Sequence, residues 1–216
     1  MNTIKTGLKA VRNPQFQKTV RVHIPDSLKE IKMSIIIFDT ETTGLPNVDA
    51  APLSTQPHII EFAAIKVDKN FDEVDRLSFL CNPGIQISDK ITEITKLTNE
   101  DLKDKPHFDF YIPSLNKFFL GVHTLIAHNL PFDRNMLKFE LMRLDRLTLF
   151  PWPPLQICTV EKTLHFHGYR LNLDKMHRHL IGTEHVKGAH RAMADVEALL
   201  RCVKALASKG IINTGD

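Results

Sequence analysis

The sequence predicts an α/β domain in which helices flank a mixed sheet, and three observations support this. The β-branched apolar run at residues 34–38 has the composition of a buried strand. Further apolar runs of strand length follow early in the chain, and helical patterns dominate its second half. The length of 216 residues suits one sizeable core.

The first three predicted strands are expected to form a meander. Residues 34–38 are apolar at odd and even positions alike, which indicates a central strand buried on both faces. Residues 59–67 and 76–81 are predicted as the next two strands. Their connections look too short for crossover helices, so neighbouring strands should run antiparallel. Residues 124–127 form a further short apolar strand.

The predicted helices lie mainly after residue 84. Residues 85–104 suggest short helical pieces, and Pro113 opens a helix over 111–120. Asn129 is expected to cap a helix that runs to about Arg146. The proline-rich segment 148–156 is predicted as a loop, and the last helix extends from about 191 to 208.

The charge distribution separates the first 32 residues from the rest. Seven basic residues against two acidic ones give this segment +5, whereas the remaining 184 residues sum to −2. We therefore expect a basic extension at 1–32, a folded domain at 33–208 and a short tail at 209–216. The extension is compatible with phosphate contact or with a merely solvated tail.

Two further features limit the setting. We expect no membrane segment and no secretory signal, because no apolar run reaches about 18 residues and no hydrophobic stretch follows the N-terminus. The three cysteines are widely spaced and odd in number, which favours neither a disulfide framework nor a zinc pair. A reducing, cytoplasmic location is the resulting prediction.

Two acids follow the central strand directly. If the strand stays extended, Asp39 and Glu41 point to the face that also carries Ile35 and Ile37. Two carboxylates at an interior face repel each other and lose hydration, and a divalent cation would relieve both problems. The alternative is that the strand has ended and that both acids face water.

Two more acids stand at the head of apolar helix faces. Asp133 precedes leucines at 137, 141 and 144, although a helix N-terminus also favours an acid for capping. Asp195 heads a stripe with Leu199, Val203 and Leu206. Three elements therefore each direct carboxylate toward the interior side, which favours hard cations such as Mg²⁺ or Mn²⁺. Two ions about 3.5–4 Å apart would suit phosphoryl transfer, with histidine as a base.

Three segments resemble the sequence motifs of the DEDDh family of 3′-5′ exonucleases, a family that includes the proofreading subunit of bacterial DNA polymerase III and ribonuclease T. The first is Phe38–Leu45, the second is Ala127–Leu137 and the third is His190–Val196. They occur in the family's order and spacing. The resemblance implies a ribonuclease H-like fold over about residues 33–207.

The resemblance also implies roles for individual residues. Asp39, Glu41 and Asp195 would bind one divalent ion, and Asp39 would bridge to the second. Asp133 would act largely through water near the second ion, and His190 would be the general base.

The family's substrate pocket implies further contacts. Thr42, Gly44 and Leu45 would hold the terminal nucleotide, with Leu45 wedged against its base. Asn129 and Phe132 would also line the pocket, although Phe132 is equally compatible with the core. The expected substrate is a nucleic acid with a free 3′ end, DNA in preference to RNA, and a polymerase or replication partner is expected. The alternative is a non-catalytic binding module that retains the fold.

Overall fold

A computed structural model of the protein describes residues 33–48, 51–183 and 191–213. Five strands form one sheet in the order β3-β2-β1-β4-β5. β1, β2 and β3 are antiparallel neighbours, which confirms the predicted meander, and β4 and β5 run parallel to β1 on its other side. Their bounds are Ile35–Thr42, Ile59–Val67, Glu73–Leu80, Thr124–Ala127 and Leu155–Cys158.

The described part of the chain contains seven α-helices, and the sheet lies between the two longest of them. The first three, α1 to α3, are Asp89–Thr95, Asn99–Lys103 and Ile112–Phe119. The helix α4 spans Leu130–Arg143 and the helix α7 spans Ala192–Ser208. Between them lie α5 at Thr159–His167 and α6 at Leu173–Ile181. The mixed sheet flanked by helices confirms the predicted fold class.

The central strand β1 is buried on both faces because its side chains serve two cores. Ile35 and Ile37 pack with the apolar stripe of α7 on one face. Ile36 and Phe38 pack with residues of α3 and α4 on the other. Each fully buried side chain of this size contributes about 1.5–3 kcal/mol. This double burial fixes the position of β1, and Asp39 and Glu41 lie among its last four residues.

Three details differ from the sequence predictions. The segment predicted as a loop at 148–156 ends in the strand β5, whose short run Leu155–Cys158 pairs with β4. Asn129 precedes α4 but does not cap it through its side chain, because its backbone is left-handed with φ of 65°. The helix ends at Arg143, before the predicted Arg146, and Asp145 just beyond has φ of 53°.

None of the helices in the described ranges combines the length and hydropathy that a membrane crossing requires.

Candidate active site

Three carboxylates converge where β1 ends. The face of β1 that packs against α7 carries Ile35 and Ile37 first and then, further along the strand, Asp39 and Glu41. Asp195 lies in the first turn of α7, one turn before the buried Leu199. One oxygen from each of Asp39, Glu41 and Asp195 lies within 4.8 Å of the others. The apolar packing of α7 on β1 therefore brings these acids together.

This convergence raises the pKa values of the carboxylates. Burial, together with the nearby charges of Asp195 and Glu61, raises the pKa of Glu41 to about 8. The pKa of Asp39 is likewise raised, first by burial and then by the carboxylates of Asp133 and Asp195. Without a positive charge among them, these groups repel one another at neutral pH.

Asp133 approaches from the opposite face of the sheet. It lies in the first turn of α4 and is only 2% exposed. Its Oδ1 accepts hydrogen bonds from the backbone N–H of Thr40 at 3.0 Å and from the Thr40 hydroxyl at 2.8 Å. Burial raises the pKa of Asp133 to about 7, and the two bonds from Thr40 oppose that shift. Asp133 is thus held beside Asp39, outside the group of three.

The donor set fits a hard divalent cation. All the converging atoms are carboxylate oxygens, which Mg²⁺ and Mn²⁺ prefer as ligands. A cation would also remove the repulsion that raises the pKa values of Asp39 and Glu41. Asp39, Glu41 and Asp195 are the residues able to hold it, and Asp133 lies next to them.

The histidine predicted as a base, His190, lies outside the described residues, as does the segment 184–189 before it. Its role stays a prediction. A second histidine from the same motifs is described and has a different character. His128 bonds through Nδ1 to the Thr159 hydroxyl at 2.9 Å and through Nε2 to the Leu171 carbonyl at 3.1 Å. Burial lowers the pKa of His128 to about 4, so the ring is neutral near pH 7 and connects the segment after β4 to Thr159 and Leu171.

The residues predicted to hold the terminal nucleotide lie on the segment that leaves β1. Thr42 is buried and donates its hydroxyl proton to the carbonyl of Gly44 at 2.7 Å. The space beside Gly44 is open, since a Cβ there would meet no atom within 4 Å. Leu45, three residues after the end of β1, is 79% exposed. An apolar side chain in this position is available to contact a ligand.

The other two predicted substrate residues lie at the start of α4. The Oδ1 of Asn129 accepts a hydrogen bond from Nη2 of Arg170 at 2.9 Å. Phe132 is partly buried and packs against the core on the α4 side of the sheet. The structure thus places both residues within four positions of Asp133, with Phe132 contributing to the core as well.

The site contains one further acid that the sequence did not predict, together with the arginine that pairs with it. Glu61 lies directly opposite Glu41 in the β1–β2 register and is 3% exposed. Its carboxylate is paired with the guanidinium of Arg191, just before α7. The signal was present, because Glu61 is a charged residue inside the otherwise apolar run 59–65.

Comparisons with known proteins find similar sequences. Residues 36–203 match the sequence profile of the RNase T family, which is described as an exonuclease family. The chain is 32% identical over 182 residues to the PolC-type DNA polymerase III of Bacillus subtilis, which covers 82% of the chain. The corresponding protein of Clostridium perfringens is 30% identical over 169 residues. The chain spans only 11 to 12% of the length of these two relatives.

Solved structures of nucleases share the fold. Exonuclease X in complex with 5′-overhanging duplex DNA matches with a TM-score of 0.57 and 25% identity, covering 82% of this chain and 93% of that one. The nuclease domain of 3′hExo, a DEDDh family member bound to rAMP, matches with a TM-score of 0.66 and 18% identity. That alignment covers 83% of this chain and 94% of the domain.

Proposed function

The chain belongs to the RNase T family of exonucleases, which are phosphodiester hydrolases, and we propose that it releases nucleoside monophosphates one at a time from the 3′ end of DNA. The observation that carries this proposal is the convergence of Asp39, Glu41 and Asp195 within 4.8 Å at the end of the central strand. The three acids belong to two of the motifs that resemble the DEDDh pattern.

The acids are proposed to hold two divalent ions, Mg²⁺ or Mn²⁺. Asp39, Glu41 and Asp195 would hold the first ion, with Asp39 also facing the second. Asp133, fixed by its bonds to Thr40, would support the second ion largely through water. When bound, such ions supply activation of the attacking water and stabilisation of the charge that develops on the leaving oxygen.

His190 is the proposed general base. It immediately precedes Arg191, which is anchored to Glu61 beside the acids. An imidazole of ordinary pKa can accept a proton from the attacking water near neutral pH. His128 is not suited to this task, because both its ring nitrogens are hydrogen-bonded and burial lowers its pKa to about 4.

The terminal nucleotide is proposed to lie against Thr42, Gly44 and Leu45, with Asn129 and Phe132 nearby. The exposure of Leu45, 79%, supports a stacking contact with the last base. The open space beside Gly44 would let the nucleic-acid strand approach the protein backbone at this residue.

DNA is the proposed substrate in preference to RNA, and a polymerase or another replication protein is the proposed partner. Support comes from relatives that are DNA polymerases and from exonuclease X, whose structure contains duplex DNA. The corresponding region is a small part of those polymerases. A reducing, cytoplasmic setting suits the three buried free thiols.

The test is a degradation assay with strands labelled at the 5′ end, using single- and double-stranded DNA and RNA. We expect a ladder that shortens stepwise with Mg²⁺ or Mn²⁺, faster on DNA, and no products in excess chelator. His190→Ala should lower the rate by about 10²–10⁴-fold while Mn²⁺ binding survives. Immediate release of the 5′-labelled mononucleotide, cleavage of circular DNA or robust cleavage in chelator would contradict the proposal.

A non-catalytic binding module is the alternative function, and the same assay separates the two. Such a module would bind the labelled strands in the presence of either metal and leave them intact. The retention of all four motif acids, Asp39, Glu41, Asp133 and Asp195, favours the enzyme.

A further inference from the structure

Glu61 has no part in the chemistry proposed above, yet it lies beside it. It is 3% exposed and stands opposite Glu41 in the pairing of β1 with β2. A buried carboxylate in this position adds negative charge to a site that already holds Asp39, Glu41 and Asp195. Its presence therefore calls for a physical reason.

The hydrogen bonds of Glu61 lead to the start of α7. The Nε of Arg191 donates to Oε2 of Glu61 at 3.0 Å and to Oε1 at 3.2 Å, and Nη2 donates to Oε1 at 3.1 Å. The backbone N–H of Ala192 donates to Oε2 at 3.3 Å. Both carboxylate oxygens are thus engaged by two successive residues of one segment. A forked arginine–carboxylate pair of this kind fixes direction as well as distance.

The anchored residue opens the turn that carries Asp195. The backbone carbonyl of Arg191 accepts hydrogen bonds from the N–H groups of Ala194 at 2.9 Å and of Asp195 at 3.2 Å. Any shift of Arg191 relative to β2 therefore moves Asp195 relative to Asp39 and Glu41. Further along α7, apolar side chains such as Val196 and Leu199 pack against the sheet and hold the helix on β1.

We infer that Glu61 and Arg191 form a latch between β2 and α7 that positions Asp195 for metal binding, and that Glu61 is a positioning residue and not a metal ligand. This inference rests on the proposed metal-dependent function. The latch uses an ion pair because a lone carboxylate at Glu61 would repel the ligands. Consistent with this, the charge of Glu61 raises the pKa of Glu41 and that of Arg191 lowers it.

A second ion pair provides a matched control. Arg76 on β3 donates from Nη1 to Oε1 of Glu197 at 3.1 Å, so this pair also joins the sheet to α7. Its side chains are 47% and 45% exposed, and neither is part of the acid cluster. Glu197→Gln therefore removes a sheet-to-helix ion pair without disturbing the latch.

The test measures Mn²⁺ binding to the full chain by calorimetry and by the spin-resonance signal of the bound ion. Loss of a group that orients a ligand typically weakens metal binding about 10–100-fold. We expect that loss in Glu61→Gln and in Arg191→Gln, with the number of bound ions unchanged. The double variant should resemble the single ones, because both remove the same interaction. Glu197→Gln should bind Mn²⁺ like the wild-type protein.

Thermal melting in chelator accompanies each measurement, and binding is compared at a temperature at which all variants are folded. If Glu61→Gln does not fold, the same comparison is made with Arg191→Gln, whose side chain is 47% exposed. Unchanged Mn²⁺ affinity in folded variants would overturn the latch. Loss of one bound ion in Glu61→Gln would identify Glu61 as a ligand and overturn it as well. Failure of the wild-type chain to bind Mn²⁺ or to degrade DNA would instead count against the proposed function.

Discussion

At the scale of single residues, the acids at the end of β1 oppose the stability of the metal-free fold. Asp39, Glu41 and Asp195 are brought together by the packing of α7 on the sheet, although their charges repel. A fold that tolerates such a cluster gives up stability at that point, as is common where residues are arranged for function.

The first prediction concerns the removal of one acid. Asp39→Asn and Asp195→Asn should each lower nuclease activity by about 10³-fold or more, because metal ions supply several kcal/mol to such reactions and each 1.4 kcal/mol is tenfold in rate. In chelator, the melting temperature should equal or exceed that of the wild-type protein, since like charges are removed. Glu93→Gln, at an exposed position on α1, serves as the control. A variant that simply unfolds would show that the acid is structural.

The second prediction concerns pH. The pKa of Glu41 is raised to about 8 by burial, Asp195, Glu61 and Asp133, against Arg191. An acid whose pKa is higher in the folded state stabilises the fold while it is protonated, and this contribution is lost as pH rises through the folded value. The melting temperature in chelator should therefore fall between about pH 5 and pH 8.

Metal should reverse that trend. Bound Mg²⁺ or Mn²⁺ takes the place of protons, so binding should release protons, and the gain in melting temperature should be larger at pH 8 than at pH 6. Glu41→Gln should flatten the pH slope measured in chelator. A melting temperature that rises steadily to pH 8 in chelator would argue against ionisation of these acids as the source of the instability.

At the scale of elements, the sequence predicted the long periodic segments and the short apolar strand Thr124–Ala127, but not the short strand after the prolines. The strand Ile59–Val67 and the helix Ala192–Ser208 follow their apolar patterns closely. The strand Leu155–Cys158 was missed because four residues after a run of prolines carry too little pattern, and its pairing with β4 decides it. Asn129 has a left-handed backbone, which asparagine adopts more readily than most residues, and its side chain accepts a bond from Arg170 and does not cap α4.

The same contrast applies to the site. Asp39, Glu41, Asp133 and Asp195 were predicted from their places in the sequence, because each heads or ends an apolar pattern. The pairing of Glu61 with Arg191 joins residues 130 positions apart, and no local pattern contains that distance. The antiparallel register of β1 and β2 sets Glu61 opposite Glu41, and the packing of α7 on the sheet brings Arg191 to Glu61.

The third prediction concerns an arginine that ties α4 to the segment after β1. Nη2 of Arg143 donates to the carbonyls of Gln56 at 2.6 Å, Pro57 at 3.1 Å and Leu53 at 3.3 Å, and Nη1 lies 3.1 Å from the buried Glu140. Arg143→Ala should destabilise the protein by about 2–3 kcal/mol, because the bonds are lost and Glu140 keeps a less compensated charge.

That variant should also affect substrate binding. The bonds from Arg143 to the carbonyls of residues 53, 56 and 57 form a clamp. Oε1 of Gln56 accepts from the N–H of Asn47, two residues after Leu45, so this clamp extends to the proposed nucleotide contact. Arg143→Ala should raise KM more than it lowers kcat. Arg143→Lys keeps the charge but has one nitrogen in place of Nη1 and Nη2, so it cannot contact both the carbonyls and Glu140 as the guanidinium does, and it should show a smaller version of both effects. Lost stability with an unchanged KM would separate the clamp from the substrate site. Chemical denaturation and steady-state kinetics provide both values.

At the scale of the whole molecule, the site depends on both faces of the sheet. Asp195 arrives on α7, which packs against Ile35 and Ile37, whereas Asp133 arrives on α4 from the opposite face. β1 carries the remaining two acids between them. The four acids lie on three different elements, β1, α4 and α7. The layered fold is therefore required to bring them together.

The last prediction concerns residues 1–32, which carry +5 ahead of a body of −2. Basic residues that contact phosphates release counterions, and this adds affinity that weakens as salt rises. Deletion of 1–32 should leave kcat at saturating substrate nearly unchanged, because the four acids and His190 all lie after residue 33. Binding of long strands should weaken, most at low salt, and the salt slope should fall by a few units at most, since seven basic residues are removed.

A matched control keeps the segment and removes only its charge, by replacing its seven lysines and arginines with glutamine. If counterion release is the cause, this variant and the deletion should bind alike at two salt concentrations. The alternating run Val20–Ile24 resembles a strand and offers a competing explanation, in which the segment contributes to the fold. In that case the deletion would lower the melting temperature by many degrees while the charge-free variant would not, and the role in substrate binding would lose its support.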